Sequence, residues 1–316
     1  VNVARLVEAV GPPALPLPRS KYLPHDVVEG FGPANLDYVS FFNGLARFNH
    51  PQHPFPSDAF PFIFEVLDRY FPLLHKYTVL VPEGEAVAIA INGDHKMKAC
   101  GYPSNTLGCN NKLEAIQKIG ASNLLSYYTA EGAVIGSTLK DELRDVSKDA
   151  RLFRPQDVGS YIEGIMLFNN QNEYLISLVH SSPIFAKYVT PGPLVTGLFE
   201  RILAFGDCYG ADGSRWDAHF PLMIASIICE WRCRECCPEV ESRMRRYYSL
   251  MYNGYTSGYG YLFHLAGQPS GHVNTTIDNC LCHVIMMALH AYFYGMTVDE
   301  FMHFVLFFCC GDDLIW

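Results

Sequence analysis

An apolar stretch from Phe304 to Cys310 runs straight into Gly311-Asp312-Asp313. This junction limits the possible folds more than any other feature of the chain. Apolar and aromatic residues in a short run suit a buried strand, and a glycine at its end permits a tight turn. Two adjacent carboxylates presented there repel each other unless cations lie between them. The segment predicts a β-hairpin whose tip offers Asp312 and Asp313 to divalent metal ions. A solvated turn is the plain alternative, and the triplet alone does not decide between them.

Two further elements bear on that choice. The string FGDCYGAD leads strand-like into Asp212, and Asp212-Gly-Ser-Arg-Trp-Asp217 supplies a second carboxylate a few residues on. If Asp212 and Asp312 converge, they form the carboxylate pair needed to hold two ions about 3.5–4 Å apart. Hard oxygen ligands favour magnesium or manganese over zinc. Downstream lies Gly267-Gln-Pro-Ser-Gly-His-Val-Asn-Thr-Thr-Ile-Asp-Asn279. Its glycines and proline predict a mobile loop, with a helix opening over Thr275–Asn279. Ser270, Thr275 and Asn279 would then offer hydroxyl and amide groups able to read a sugar. Helix capping is the simpler reading of Ser270 or Thr275 taken singly.

Composition narrows the class. With 316 residues, 49% of them hydrophobic, the chain can bury a sizeable core. A net charge of −9 argues against a protein that coats nucleic acid non-specifically. It remains compatible with a narrow basic channel around an acidic centre. The 11 cysteines read as reduced thiols. Cys233, Cys236 and Cys237 cluster without the clear second pair that a zinc site needs. The densest apolar stretch, Leu281–Tyr294, is interrupted by His283 and His290 and falls short of the roughly 20 residues that span a bilayer. No transmembrane segment is expected, and the N-terminus does not suit a signal peptide.

Local patterns predict an extended, surface-following segment over the first fifty residues, which are rich in Pro, Gly and Asn. A helix is expected over Ser57–Tyr77, capped by Ser57 or Asp58, with Pro61 in its first turn and Pro72 ending or kinking it. Thr78–Asn92 reads as a hairpin around Pro82-Glu-Gly-Glu85, and Lys112–Tyr128 as an amphipathic helix. Further helices are expected over Pro221–Arg234, around Arg243, Arg245 and Arg246, and from Thr275 onward. The chain stops inside an apolar segment, as a fragment of a longer protein would.

The ordered strings ADGSRWD, GQPSGHVNTTIDN and CCGDDLIW resemble motifs A, B and C of the RNA-dependent RNA polymerases of positive-strand RNA viruses. The style is that of the picornavirus-like supergroup, nearer to potyvirus-like and astrovirus-like enzymes than to picornaviruses proper. Upstream, Lys140-Asp-Glu-Leu-Arg144 with Lys148 and Arg151-Leu-Phe153 resembles motif F, and Gly101-Tyr-Pro-Ser104 resembles motif G. One departure stands out: Asp149 occupies a place where the family often carries a base, with Lys148 one position earlier.

The resemblance implies an α+β right-hand polymerase fold of fingers and palm, with an antiparallel RRM-like palm sheet and no thumb within this chain. Residues 1–200 would form fingers with an N-terminal extension. Residues 201–316 would form the palm core, with a fingers-side insert near 240–262. Asp212 and Asp312 would coordinate two Mg2+ or Mn2+ ions, assisted by Asp313. Asp217 and Asn279, with Ser270, Gly271 or Thr275, would meet the ribose of the incoming nucleotide. Lys140, Arg144, Lys148 and Arg151 would bind its triphosphate, and Gly101, Tyr102, Pro103 and Ser104 would line the template path. The implied partners are RNA template and primer, NTPs and other viral replicase proteins, at membrane-associated replication complexes in the host cytoplasm. With later palm segments absent, the 316-residue chain is not expected to polymerise efficiently.

Two rival readings remain at this level. A reverse transcriptase tends to place a bulky aromatic five residues after the first motif A aspartate, to exclude the 2′-hydroxyl; here Asp217 stands there. A catalytically inactive RNA-binding module could lose a metal carboxylate cheaply, whereas Asp212, Asp312 and Asp313 are all present.

Overall fold

The computed structural model describes residues 5–9, 31–48, 55–72, 74–125, 134–178, 182–184, 200, 204, 209–212 and 216–316. Most of the N-terminal segment expected to be extended lies outside these residues. In chain order the elements are β1 (Arg5–Ala9), β2 (Phe31–Pro33), α1 (Tyr38–Ala46), α2 (Phe60–Tyr70), α3 (Glu83–Asn92) and α4 (Lys112–Ile119). There follow β3 (Val134–Gly136), β4 (Thr138–Leu139), β5 (Leu143–Asp145), β6 (Leu152–Phe153), α5 (Val158–Ser177), β7 (Gly210–Asp212) and α6 (Trp216–His219). The last third holds α7 (Leu222–Cys233), α8 (Pro238–Tyr252), β8 (Asn253–Gly258), β9 (Tyr261–Ala266), α9 (Thr275–Phe293), α10 (Val298–Phe304), β10 (Phe308–Cys310) and β11 (Asp313–Ile315).

The long apolar helix expected from Thr275 is α9, and it is the axis of the main core. Ile277, Leu281, Val284, Ile285 and Ala288 are fully buried or nearly so, against α2 and α7. Burial on nearly all sides explains why its pattern is apolar all round rather than striped. No single helix among the described residues is long and apolar enough to cross a membrane.

A second core packs α3 and α4 on α5. Here the structure corrects the expected hairpin over Thr78–Asn92: residues 83–92 are helical. The alternating Ala-Val-Ala-Ile-Ala-Ile looked strand-like, but alanine carries no helix penalty. Ala86, Val87 and Ala90 fall on one helical face and are buried, while Glu83 and Glu85 occupy the first turn, where the helix dipole favours acids.

Three other boundaries shift. Ser57–Ala59 forms a 3-10 turn before α2, and Asp58 accepts from the Tyr292 hydroxyl (2.8 Å) rather than capping. The helix from Lys112 ends at Ile119 because Gly120 adopts φ +84°, and residues 126–128 of the expected span lie outside the described ones. The strand expected over Phe304–Cys310 is confined to Phe308–Cys310. Phe304 belongs to α10, which a Thr297/Glu300 capping box starts.

Four strands form the sheet β1-β9-β8-β3, with β3 parallel to β8. The β8–β9 hairpin turns through Tyr259 and Gly260, both at positive φ, as a two-residue primed turn requires. A separate three-stranded antiparallel sheet, β10-β11-β7, carries the acidic residues.

Candidate active site

The apolar run and its acidic end form the hairpin expected from sequence. β10 and β11 pair with Cys310 opposite Asp313, leaving Gly311 and Asp312 as the two-residue turn. Gly311 has φ +64°, a conformation that disfavours any side chain. Helix α9 supports the turn from below: the Gly311 N–H donates to Cys280 Sγ at 3.2 Å. On its other edge β11 pairs with β7, with Asp313 directly opposite Asp212. Opposed positions in an antiparallel ladder share one face, so the two acidic segments meet at one end of this sheet. Asp312 and Asp313 are exposed. The Asp212 side chain and residues 213–215 lie outside the described set, and within that set no three metal-ligating side chains converge.

Asp217 lies in the first turn of α6, where its Oδ1 accepts from the Ala218 N–H at 2.9 Å. Burial pushes its carboxyl above the usual range, opposed by that N–H and by the charges of Arg154 and Arg47. The loop before α9 is stitched to it, since the Gln268 N–H donates to the Asp217 carbonyl at 2.9 Å. Gly267 makes this possible: at φ +135°, a Cβ there would meet the Asp217 carbonyl and the Phe48 ring at 2.9 Å each. Gly271 bridges Pro155, and a Cβ there would approach Pro155 Cα to 2.9 Å. The Thr275 hydroxyl donates back to the His272 carbonyl at 2.8 Å, so it holds the loop. Ser270 is half-buried. Asn279 is buried, and its Oδ1 has no hydrogen-bond partner.

Beneath this loop lies a polar network that sequence reasoning missed. Asp278 and Arg232 form an ion pair at 3.0 Å with both side chains fully buried. The Asp278 carboxylate also accepts from the Tyr248 hydroxyl at 3.0 Å and the Tyr252 hydroxyl at 2.7 Å. Burial pushes the Asp278 carboxyl up, while Arg232 and both tyrosines pull it down. Three donors on two oxygens mark it as a carboxylate. Tyr252 and Gln268 connect at 3.3 Å, and Tyr252 also meets His272 Nε2 at 3.3 Å. Burial holds His272 down to about 3, so it stays neutral. The sequence signal was an i, i+4 tyrosine pair, Tyr248 and Tyr252, on one face of α8. Its buried acidic partner follows twenty-six residues after Tyr252.

The basic segment 140–154 consists of short strands and turns rather than a helix. Glu142 gathers three of its bases. Arg151 grips it through Nε (2.6 Å) and Nη2 (2.7 Å), Lys140 Nζ lies at 2.9 Å and Arg144 at 3.4 Å. Partial burial works against ionisation of Glu142, but Arg151 and Lys140 outweigh it and hold the carboxyl near 2. The Arg151 charge is reinforced by Glu142 first, then by Asp217 and Asp312, which places it in the field of both acidic segments. Lys148 is exposed, with Asp145 of its own turn at 3.7 Å. Arg154, not singled out from sequence, is wholly buried.

The Gly101–Ser104 segment is anchored at the N-terminus of α5. Ser104 is fully buried, and its hydroxyl donates to the Asp157 carboxylate at 2.5 Å. Gly101, at φ +72°, lies so close to the Gln156–Asp157 backbone that a Cβ would come within 2.6 Å. Both residues hold structure here, and Tyr102 is the half-buried member of the segment.

The family model of viral RNA-dependent RNA polymerase matches residues 89–316. Among solved structures, the chain is similar to the Sicinivirus 3Dpol RNA dependent RNA polymerase, with a TM-score of 0.68 and 20% identity over 96% of this chain and 70% of that one. No curated protein matches it in sequence. The fold likeness and the family match, which spans every acidic and basic segment described above, agree: the chain belongs to the viral RNA-dependent RNA polymerases, enzymes that synthesise RNA on an RNA template.

Proposed function

We propose that this chain is the fingers and palm of a positive-strand RNA virus polymerase, adding NMP to a primer 3′-hydroxyl by a two-metal mechanism. Residues 1–200 would be the fingers with an N-terminal extension, and 201–316 the palm core with a fingers-side insert near 240–262; the palm sheet would be β10-β11-β7. The observation that carries this reading is the register that opposes Asp313 to Asp212 beside the Asp312 turn. Carboxylate oxygens there suit magnesium or manganese. Asp212 and Asp312 would hold two such ions with help from Asp313. When bound, the ions activate the attacking hydroxyl and neutralise charge on the leaving pyrophosphate.

The protein's own residues position the reactants. Arg151, with Lys140 and Arg144, meets the triphosphate as it exchanges Glu142 oxygens for phosphate oxygens. Asp217 and Asn279 take the ribose 2′-hydroxyl between a carboxylate acceptor and an amide. The primer oxygen then bonds to the α-phosphorus as the bond to pyrophosphate breaks. Positioning and electrostatics contribute most of the rate.

The test is primer extension on an RNA template by a polymerase carrying this chain, with Mg2+ or Mn2+ supplied. Asp312→Ala should lower incorporation at least a hundredfold, on the order of the loss of a main transition-state charge stabiliser. Unchanged incorporation would remove Asp312 from the metal site. A preference for dNTPs over NTPs would contradict the role of Asp217.

A further inference from the structure

The Tyr252 hydroxyl has more partners than a buried tyrosine needs. Its oxygen lies 2.7 Å from Asp278 Oδ2, 3.3 Å from Gln268 Nε2 and 3.3 Å from His272 Nε2. A phenol donates once and accepts through its lone pairs. The proton goes to Asp278, the shortest contact and an acceptor only, so Gln268 and His272 both donate to the oxygen. The His272 ring is set for this. Its Nδ1 accepts from the Asn274 N–H at 3.3 Å, which leaves the proton of the neutral imidazole on Nε2. Burial pushes the Tyr252 hydroxyl well above its ordinary value, so it keeps its own proton. One donated and two accepted bonds saturate the group.

The two accepted bonds come from opposite ends of one short loop, since Gln268 and His272 flank Pro269-Ser270-Gly271. The Tyr252 carbonyl also takes the Gly267 N–H at 2.9 Å, just ahead of Gln268. The next amide, the Gln268 N–H, is the one that holds the Asp217 carbonyl. The clamp has a rigid anchor: Asp278 belongs to α9 and is fully buried against Arg232. Tyr248, one turn earlier in α8, donates to the same carboxylate, and among the described residues its hydroxyl bonds to nothing else.

We propose that Tyr252 is a positioning residue for ribose selection: its hydroxyl clamps both ends of the Gln268–His272 loop onto α9, fixing Ser270 within the loop and, through the Gln268 amide, Asp217 beside it. This rests on the ribose role of Asp217 proposed above, which Ser270 would share. Tyr252 needs no contact with the nucleotide; it acts through the loop. Loosening the clamp penalises NTP more than dNTP, because only the 2′-hydroxyl uses the groups that the loop fixes.

The experiment measures kcat/KM for NTP and for the matching 2′-dNTP in a polymerase carrying this chain, for wild type, Tyr252→Phe, Tyr248→Phe and Asp217→Asn. Hydrogen–deuterium exchange over residues 267–274 is followed in the same proteins. Tyr252→Phe should speed exchange there and lower the NTP/dNTP ratio about fivefold, on the order of one hydrogen bond. Tyr248→Phe takes a hydroxyl from the same carboxylate without touching the loop, so it should leave both readouts near wild type. Three results would overturn the proposal: unchanged exchange in Tyr252→Phe, an equal loss for NTP and dNTP, or Tyr248→Phe matching Tyr252→Phe in both readouts. If Asp217→Asn alone leaves the ratio unchanged, the ribose role of Asp217 fails first, and the proposal with it, whatever the exchange shows.

Discussion

Truncating Asp278 to alanine tests whether the buried network under the loop before α9 holds the fold there. The carboxylate accepts from Arg232, Tyr248 and Tyr252, and the ion-paired side chains are wholly buried. Removing one partner of a buried ion pair costs about 3–5 kcal/mol. Tyr248 would also lose the acceptor for its hydroxyl, adding about 1 kcal/mol or more. Tyr252 keeps its contacts to His272 and Gln268, so it contributes less. The expected total is about 4–6 kcal/mol, a large share of the ~5–15 kcal/mol that stabilises a typical domain. Urea denaturation followed by circular dichroism reads it directly. The control removes both charges and the Tyr248 hydroxyl: Arg232→Met with Asp278→Leu and Tyr248→Phe should recover most of the loss, because no charge is left stranded. The reasoning fails if Asp278→Ala costs less than about 1 kcal/mol, or if the combined variant is as unstable as the single one.

The two bases nearest the family pattern should differ sharply. Arg151→Ala is expected to raise the KM for NTP roughly tenfold in steady-state extension, by loss of charge-assisted hydrogen bonds. Lys148→Ala should change it less than about twofold, since that ammonium faces solvent and Asp145. Gly271→Ala puts a Cβ against the backbone of Arg154 and Pro155 and should cost about 1–3 kcal/mol in thermal or urea unfolding, with lower activity. His272 is held neutral at about 3 when folded against an ordinary value of 6.5. The unfolded chain therefore binds the extra proton first, and stability is full above pH 6.5 and falls as pH drops toward 3. By pH 5 the loss should reach about 2 kcal/mol, and His272→Gln should flatten that part of the pH–stability curve.

The acidic turn, the strand into Asp212 and the helix from Thr275 were legible because each is written in adjacent residues. Gly311 permits the turn whatever packs around it, and Phe308–Cys310 enters it as the strand expected, although Phe304 at the start of the same apolar run closes α10 instead. The helix at Glu83 was misread because alternating Ala, Val and Ile suits either period, and burial against α5 decides it. The basic stretch showed which residues carry charge but not which carboxylate collects them. Glu142 does so because the chain reverses between Lys140 and Arg151, bringing both back to one acid.

By itself the sequence determined the identities and order of the acidic, polar and basic segments, since turn chemistry and hydrophobic period are local properties of the chain. Tertiary structure alone decided that Asp313 opposes Asp212, that Arg151 feels both Asp217 and Asp312, and that Arg154 and Asp278 are buried. The strength of a charge depends on its distance from others and on the water it has lost. Packing sets both, bringing together residues far apart in the chain.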